Sequence, residues 1–179
     1  LREGDAVMGV GPLDAAADVL LVSRNGMSVR FHADGVPTQG RTAGGVKGMT
    51  LEPGDAVLWC GQPQAADQVF LMTERGFAKR VLYMDFEPQA RGGKGVKAFY
   101  FNKSGSNGTC VAGAALLAGD GAGAQVRVEQ RMSPPTVLMA QEAPLQGKQD
   151  KGLPLVMALM DDVVTAVEPA AESTAETGE

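Results

Sequence analysis

The chain repeats itself at a spacing of about 50 residues, and that period constrains the fold more than any single motif. Leu1-Arg2-Glu3-Gly4-Asp5-Ala6-Val7 returns as Leu51-Glu52-Pro53-Gly54-Asp55-Ala56-Val57. Ala17-Asp18-Val19-Leu20-Leu21-Val22 returns as Ala66-Asp67-Gln68-Val69-Phe70-Leu71. A unit of this length is one supersecondary element that cannot close a core alone and must stack on its neighbours. Within each unit, Val-, Leu-, Met- and Phe-rich runs alternate with turn residues: 6–10, 17–23, 27–32 and 46–51, then 56–60, 66–73, 77–83 and 96–101. Such runs predict short strands. Helical periodicity is almost absent, and the Ala-rich stretch 12–18 follows Gly11-Pro12, so it reads as a loop.

Arg24-Asn25-Gly26 and Glu74-Arg75-Gly76 join the middle two runs of each unit. Asn-Gly between apolar runs signals a hairpin, with a type I′ turn as the expected geometry. A third unit is degraded: it opens at Gly108-Thr109-Cys110-Val111, offers 124–130 and 135–140 as a hairpin pair, and closes with 155–160 and 163–167. Residues 169–179 are acidic and aromatic-free, and are expected to be a disordered tail. The division is therefore repeat 1 (1–50), repeat 2 (51–103), degenerate repeat 3 (104–168) and tail. Four strands per repeat is the propeller signature, so the expected fold is all-β, with about three four-stranded blades forming part of a ring.

Charge is unevenly placed. Residues 1–103 carry 12 Lys+Arg against 11 Asp+Glu, and residues 104–179 carry 4 against 10. The cations sit in the two clear repeats, which suggests a local polyanion-binding face despite a net charge of −5. No apolar run is long enough for a membrane span. Cys60 and Cys110 lack metal-ligand spacing and read as buried thiols in a reducing, cytoplasmic setting.

The chemistry lies in the long loop of each repeat. In repeat 2 it reads Gln89-Ala90-Arg91-Gly92-Gly93-Lys94-Gly95-Val96-Lys97, and in repeat 1 Gln39-Gly40-Arg41-Thr42-Ala43-Gly44-Gly45-Val46-Lys47. Glycines remove side-chain bulk, so backbone N–H groups and cations can approach a phosphate backbone closely without reading bases. The same pattern also suits a glycine-rich turn with solvated charges. Arg24, Arg30, Arg75, Lys79 and Arg80 flank the hairpins. Arg91–Gly95 is no P-loop, because Gly95 stands where Ser or Thr would follow the lysine. His32 is the only histidine, which removes His-pair metal sites and makes a catalytic triad improbable. Trp59 is expected to pack between blades.

Gln89-Ala90-Arg91-Gly92-Gly93-Lys94-Gly95 resembles the glycine-rich box of the C-terminal domain of type IIA DNA topoisomerase A subunits, as found in gyrase. Arg24–Phe31, Gly40–Gly48 and Gly76–Arg80 are similar to blade sequences of that family. The resemblance implies a β-pinwheel, a propeller-like ring of strand-swapping blades, and a non-catalytic module that binds and wraps double-stranded DNA without sequence specificity. It implies DNA contacts from Arg30, Arg41, Lys47, Arg75, Lys79, Arg80, Gln89, Arg91, Gly92, Gly93, Lys94, Gly95 and Lys97. Its implied partners are the rest of the A subunit and the ATPase B subunit. No cofactor or metal is expected in this domain; ATP and Mg2+ belong to the holoenzyme. Ala90 departs from the box by removing a cation, which leaves gyrase-type and topoisomerase-IV-type readings both open. A protein-interaction propeller with purely structural glycine loops is the competing reading.

Overall fold

A computed structural model describes residues 3–170 of the chain. Among them eleven strands occur in order: β1 (Asp18–Ser23), β2 (Met27–His32), β3 (Val57–Gly61), β4 (Gln68–Thr73), β5 (Phe77–Leu82), β6 (Val96–Lys97), β7 (Val111–Leu117), β8 (Gln125–Gln130), β9 (Thr136–Met139), β10 (Leu153–Pro154) and β11 (Val164–Pro169). They form three antiparallel sheets, ordered β3-β1-β2-β6, β10-β5-β4-β7 and β11-β8-β9. Short 3-10 turns at Ala33–Gly35, Tyr83–Asp85 and Ala140–Glu142 end the second hairpin strand of each sheet. The architecture is all-β, as the period and turn content predict.

The hairpins form where expected, with a different turn. Ser23 and Thr73 carbonyls accept from the N–H of Gly26 and Gly76, both at 3.0 Å. Only the glycines take positive φ, at 73° and 78°; Asn25 does not. The loop is thus three residues ending on a left-handed glycine, rather than a two-residue type I′ turn. The Ser23 and Thr73 hydroxyls also accept from the Met27 and Phe77 N–H groups, fixing each turn from inside.

Strand exchange between repeats decides the topology. Sheet 1 takes β3 and β6 from repeat 2, and sheet 2 takes β7 and β10 from the third unit. The first run of a repeat therefore pairs inside the preceding sheet: Leu20–Ser23 align with Val57–Gly61, and Gln68–Thr73 with Val111–Leu117. The expected strand 6–10 is not one among the described residues, and Val7, Met8 and Val10 stand 61%, 53% and 94% exposed. Residues 46–51 form no named strand, although Gly48 and Thr50 hydrogen-bond to the loop at Gly92–Gly93, and 96–101 and 155–160 give only the two-residue strands β6 and β10, the latter at 153–154.

Sheet 3 has no outer strand among the described residues. Its register puts Val128–Thr136 where Leu21–Val29 and Leu71–Lys79 lie in the other sheets. Pro134 and Pro135 then fall where Met27-Ser28 and Phe77-Ala78 receive their outer strands. Prolines have no N–H to donate to a ladder, so this edge is blunted. β11 extends to Pro169, into the expected tail; residues 171–179 lie outside the described residues.

Three apolar cores lie around these sheets. Leu20, Val22, Val69, Leu71, Val81 and Phe99 fill the junction of sheets 1 and 2, with Trp59 packed against it. Phe70, Met72, Leu117, Val126, Val128 and Val167 fill the junction of sheets 2 and 3. Every residue of β4 is buried, because that strand is covered on both faces. Carbonyls of the hairpin turns tie the units together: the Val111 N–H donates to Arg24 O at 2.7 Å and the Val164 N–H to Glu74 O at 2.9 Å.

Candidate nucleic-acid interface

The exchange that puts β6 on sheet 1 also carries the glycine-rich loop of repeat 2 onto the corresponding loop of repeat 1. Four hydrogen bonds lock the two. The Gly92 N–H donates to Gly48 O (2.8 Å) and the Thr50 N–H to Gly93 O (2.8 Å). The Thr50 hydroxyl donates to Gly92 O (2.7 Å), and Arg91 Nη1 to Lys47 O (2.7 Å). Arg91 Nε reaches Gly35 O at 3.0 Å, so its guanidinium bridges two points of repeat 1. The Gln89 N–H donates to Arg30 O at 2.7 Å, which begins the docking.

The glycines serve this docking directly. Gly92 and Gly95 have φ of 86° and 78°, a region L side chains rarely adopt. A Cβ at Gly95 would lie 2.2 Å from Ser28 O, so the β6 ladder forms only because that position carries no side chain. Gly93 is exposed on the outer surface of the loop, beside Lys94.

The structure sorts the sequence-derived site residues into two groups. Arg41, Lys47, Lys94 and Lys97 are exposed, with Arg91 half-buried among them. Lys47 Nζ touches the Thr50 hydroxyl at 3.3 Å, and Lys94 Nζ pairs with Glu52 Oε1 at 2.9 Å. Lys97 lies 5.5 Å from the centre of the Tyr100 ring, and Lys151 lies 5.6 Å from the same ring. Arg41 and Lys47 line an open concavity of about 860 Å³ with Thr42–Val46 and Asp5.

The hairpin cations turn toward protein partners, and of Arg30, Arg75, Lys79 and Arg80 the burial of Lys79 removes that expected DNA contact. Arg30 is 12% exposed: its Nε pairs with Asp18 at 2.6 Å, its Nη1 donates to Phe86 O, and its guanidinium stacks on Tyr83 at 4.2 Å. Arg80 holds the equivalent place in sheet 2, donating to Gln68 Oε1, Ala143 O and Asp120 O. Both are struts that clamp the next repeat through Nε and Nη1. Arg75 is half-buried and donates to Met160 O. Lys79 is fully buried; its Nζ donates to the carbonyls of Gly147, Lys148 and Asp150 at 2.7, 2.8 and 3.0 Å and sits 4.7 Å from the Phe99 ring centre. Burial pulls its pKa down to about 7, against the opposing attraction of Asp150. An alternating strand pattern could not reveal this, because a lysine at one register position faces the core as readily as a valine, and Val29 occupies the same place in sheet 1.

Two cysteine expectations also change. Cys60 is exposed and Cys110 half-buried, both as free thiols, with burial holding the Cys110 thiol above its usual range. Sequence reasoning missed Thr50, Glu52 and the Gly35 carbonyl as parts of the loop cluster. Their proximity arises from strand exchange across some 40 residues, which no local motif records. Among the described residues no cluster of His, Cys, Asp or Glu could hold a metal, and no helix is long and apolar enough to cross a membrane.

Comparison with known proteins agrees with this architecture. The family described as DNA gyrase C-terminal domain, beta-propeller, matches residues 17–61 and 67–106. The DNA gyrase A subunit of Pseudomonas aeruginosa is 29% identical over 172 residues, covering 96% of this chain and 18% of that protein. Its counterpart in Mycolicibacterium smegmatis is 31% identical over 105 residues, covering 58% of this chain and 12% of that one. In fold, the C-terminal domain of DNA topoisomerase IV superposes with a TM-score of 0.78 at 22% identity, covering 88% of this chain and 47% of that chain. The DNA gyrase A C-terminal domain gives 0.75 at 22% identity, covering 88% and 52%. The chain thus spans less than a fifth of the curated proteins it matches and about half of the solved domains. Repeat, strand exchange, box and likeness together place residues 17–61 and 67–106, the two clear repeats, in the family of DNA gyrase C-terminal β-propeller domains.

Proposed function

We propose that this domain binds duplex DNA along its loop-bearing rim and bends it, as a non-catalytic part of a type II topoisomerase. The observation that carries the reading is the interlocked loop pair, which presents Arg41, Lys47, Lys94 and Lys97 outward on a frame built by Arg91 and the glycines. Cations on exposed loops, with no α-helix among the described residues to enter a major groove, favour phosphate contact over base reading. Bending a 20–30 bp site costs of order 1–6 kcal/mol, so several such contacts must act together. The setting proposed with it, supported by the family resemblance, is a holoenzyme in which the remainder of an A subunit and an ATPase B subunit are partners, ATP and Mg2+ act outside this domain, and the location is cytoplasmic.

The test is binding to a random-sequence duplex across a salt series. Each phosphate contact contributes a slope of roughly −0.9 in log K against log salt. A steep slope that falls in a Lys47→Ala/Lys94→Ala variant supports the rim. Weak binding with a flat slope favours the protein-interaction reading, to which the structural use of Gly95 and Arg91 already lends weight.

A further inference from the structure

We infer that Glu52 is an internal counter-anion for the rim, occupying Lys94 in the free protein and setting how tightly that lysine can grip a phosphate; this rests on the DNA-binding reading above. The pair is long-range in sequence yet preorganised. Lys94 follows the two glycines that hydrogen-bond to Gly48 and Thr50, and Glu52 stands two residues beyond Thr50. The short ladder between Gly48–Thr50 and Gly92–Gly93 therefore delivers both side chains to one place, where Nζ and Oε1 meet at 2.9 Å. The lysine side chain is 74% exposed and the carboxylate 61%, so a phosphate can reach the ammonium and displace the carboxylate without any backbone change. The exposed pairs Lys94–Glu52 and Arg127–Glu129 differ in this respect: the second lies within one strand of sheet 3, while the first joins the two loops.

The consequence is a competition. A phosphate oxygen and Glu52 make the same charge-assisted contact with the same ammonium. Exposed pairs of this kind are weak, so releasing Lys94 should tighten DNA binding by up to roughly fivefold, most clearly at low salt. Removing a negative charge anywhere near the rim would also help a polyanion approach. The two effects separate in a cycle, because only the first requires Lys94.

The experiment measures affinity for a fluorescent random-sequence duplex at several NaCl concentrations for the whole chain and three variants: Glu52→Gln, Lys94→Ala and the double variant. Glu52→Gln is expected to bind about two- to fivefold tighter, and to lose most of that gain when Lys94 is absent. Equal tightening in both backgrounds, or none, overturns the role of Glu52 while leaving DNA binding intact. Absence of salt-dependent binding by the wild-type chain overturns the DNA reading and this inference together. Both positions are exposed, and circular dichroism melts matching wild type confirm that the comparison is between folded proteins.

Discussion

Replacing Lys79 by Met separates a structural lysine from a DNA-binding one. In the wild type three backbone carbonyls, of Gly147, Lys148 and Asp150, share one buried ammonium. Methionine fills much of the volume but donates nothing. A buried acceptor left without a partner costs about 1–3 kcal/mol. Gln149 and Asp150 are exposed, so the loop can turn part of this deficit to water. The added apolar contact offsets more, which leaves a net loss of about 2–4 kcal/mol and, at roughly 2–4 °C per kcal/mol for a chain of this size, a melting point lowered by about 5–15 °C. The pH dependence has a definite sign. The folded pKa is lowered from 10.5 to about 7, so between those values the unfolded chain holds a proton that the folded chain has released. Wild-type stability relative to Lys79→Met should therefore rise with pH across that window, by about 1.4 kcal/mol per unit, and be level below about 7. Thermal melts of both proteins from pH 6 to 10 read this out. Equal melting points with parallel pH profiles would refute the buried latch. A folded Lys79→Met protein with a reduced salt slope for DNA would restore the lysine as a phosphate ligand.

Other outcomes follow from the same geometry. Gly95→Ala should dislodge β6 from sheet 1, through its φ of 78° and the 2.2 Å approach to Ser28 O, and cost about 2–4 kcal/mol in denaturant unfolding; a change below about 0.5 kcal/mol would mean the loop docks otherwise. Lys94→Ala should weaken binding about equally on unrelated DNA sequences, with a slope smaller by about one unit, and a sequence-selective loss would count against phosphate contact. Arg80→Met should lower stability by about 1–3 kcal/mol by orphaning Ala143 O and Gln68, while the DNA salt slope of the folded protein stays unchanged.

Much of this was legible in the amino-acid order because it is local. Alternation and turn glycines locate both clear hairpins to within a residue or two, since strand period and positive φ are properties of a few adjacent positions. The box was visible as glycines and cations at short spacing, and the pairing of repeats as a period. Which sheet each strand joins was not legible. Runs 6–10 and 56–60 look alike, yet among the described residues only the second yields a paired strand, at Val57–Gly61, because pairing depends on what lies beside a strand in space. The same holds for the cations. Arg30, Lys79 and Arg80 share their residue types with the exposed Arg41, Lys47 and Lys94, and only the packing of the next repeat against sheets 1 and 2 assigns them to carbonyls and acids of the protein. The spacing of glycines and cations marked a basic loop in each clear repeat; the tertiary structure decided which of the cations stay exposed, because burial and hydrogen-bond partners are set by contacts 40 to 70 residues apart.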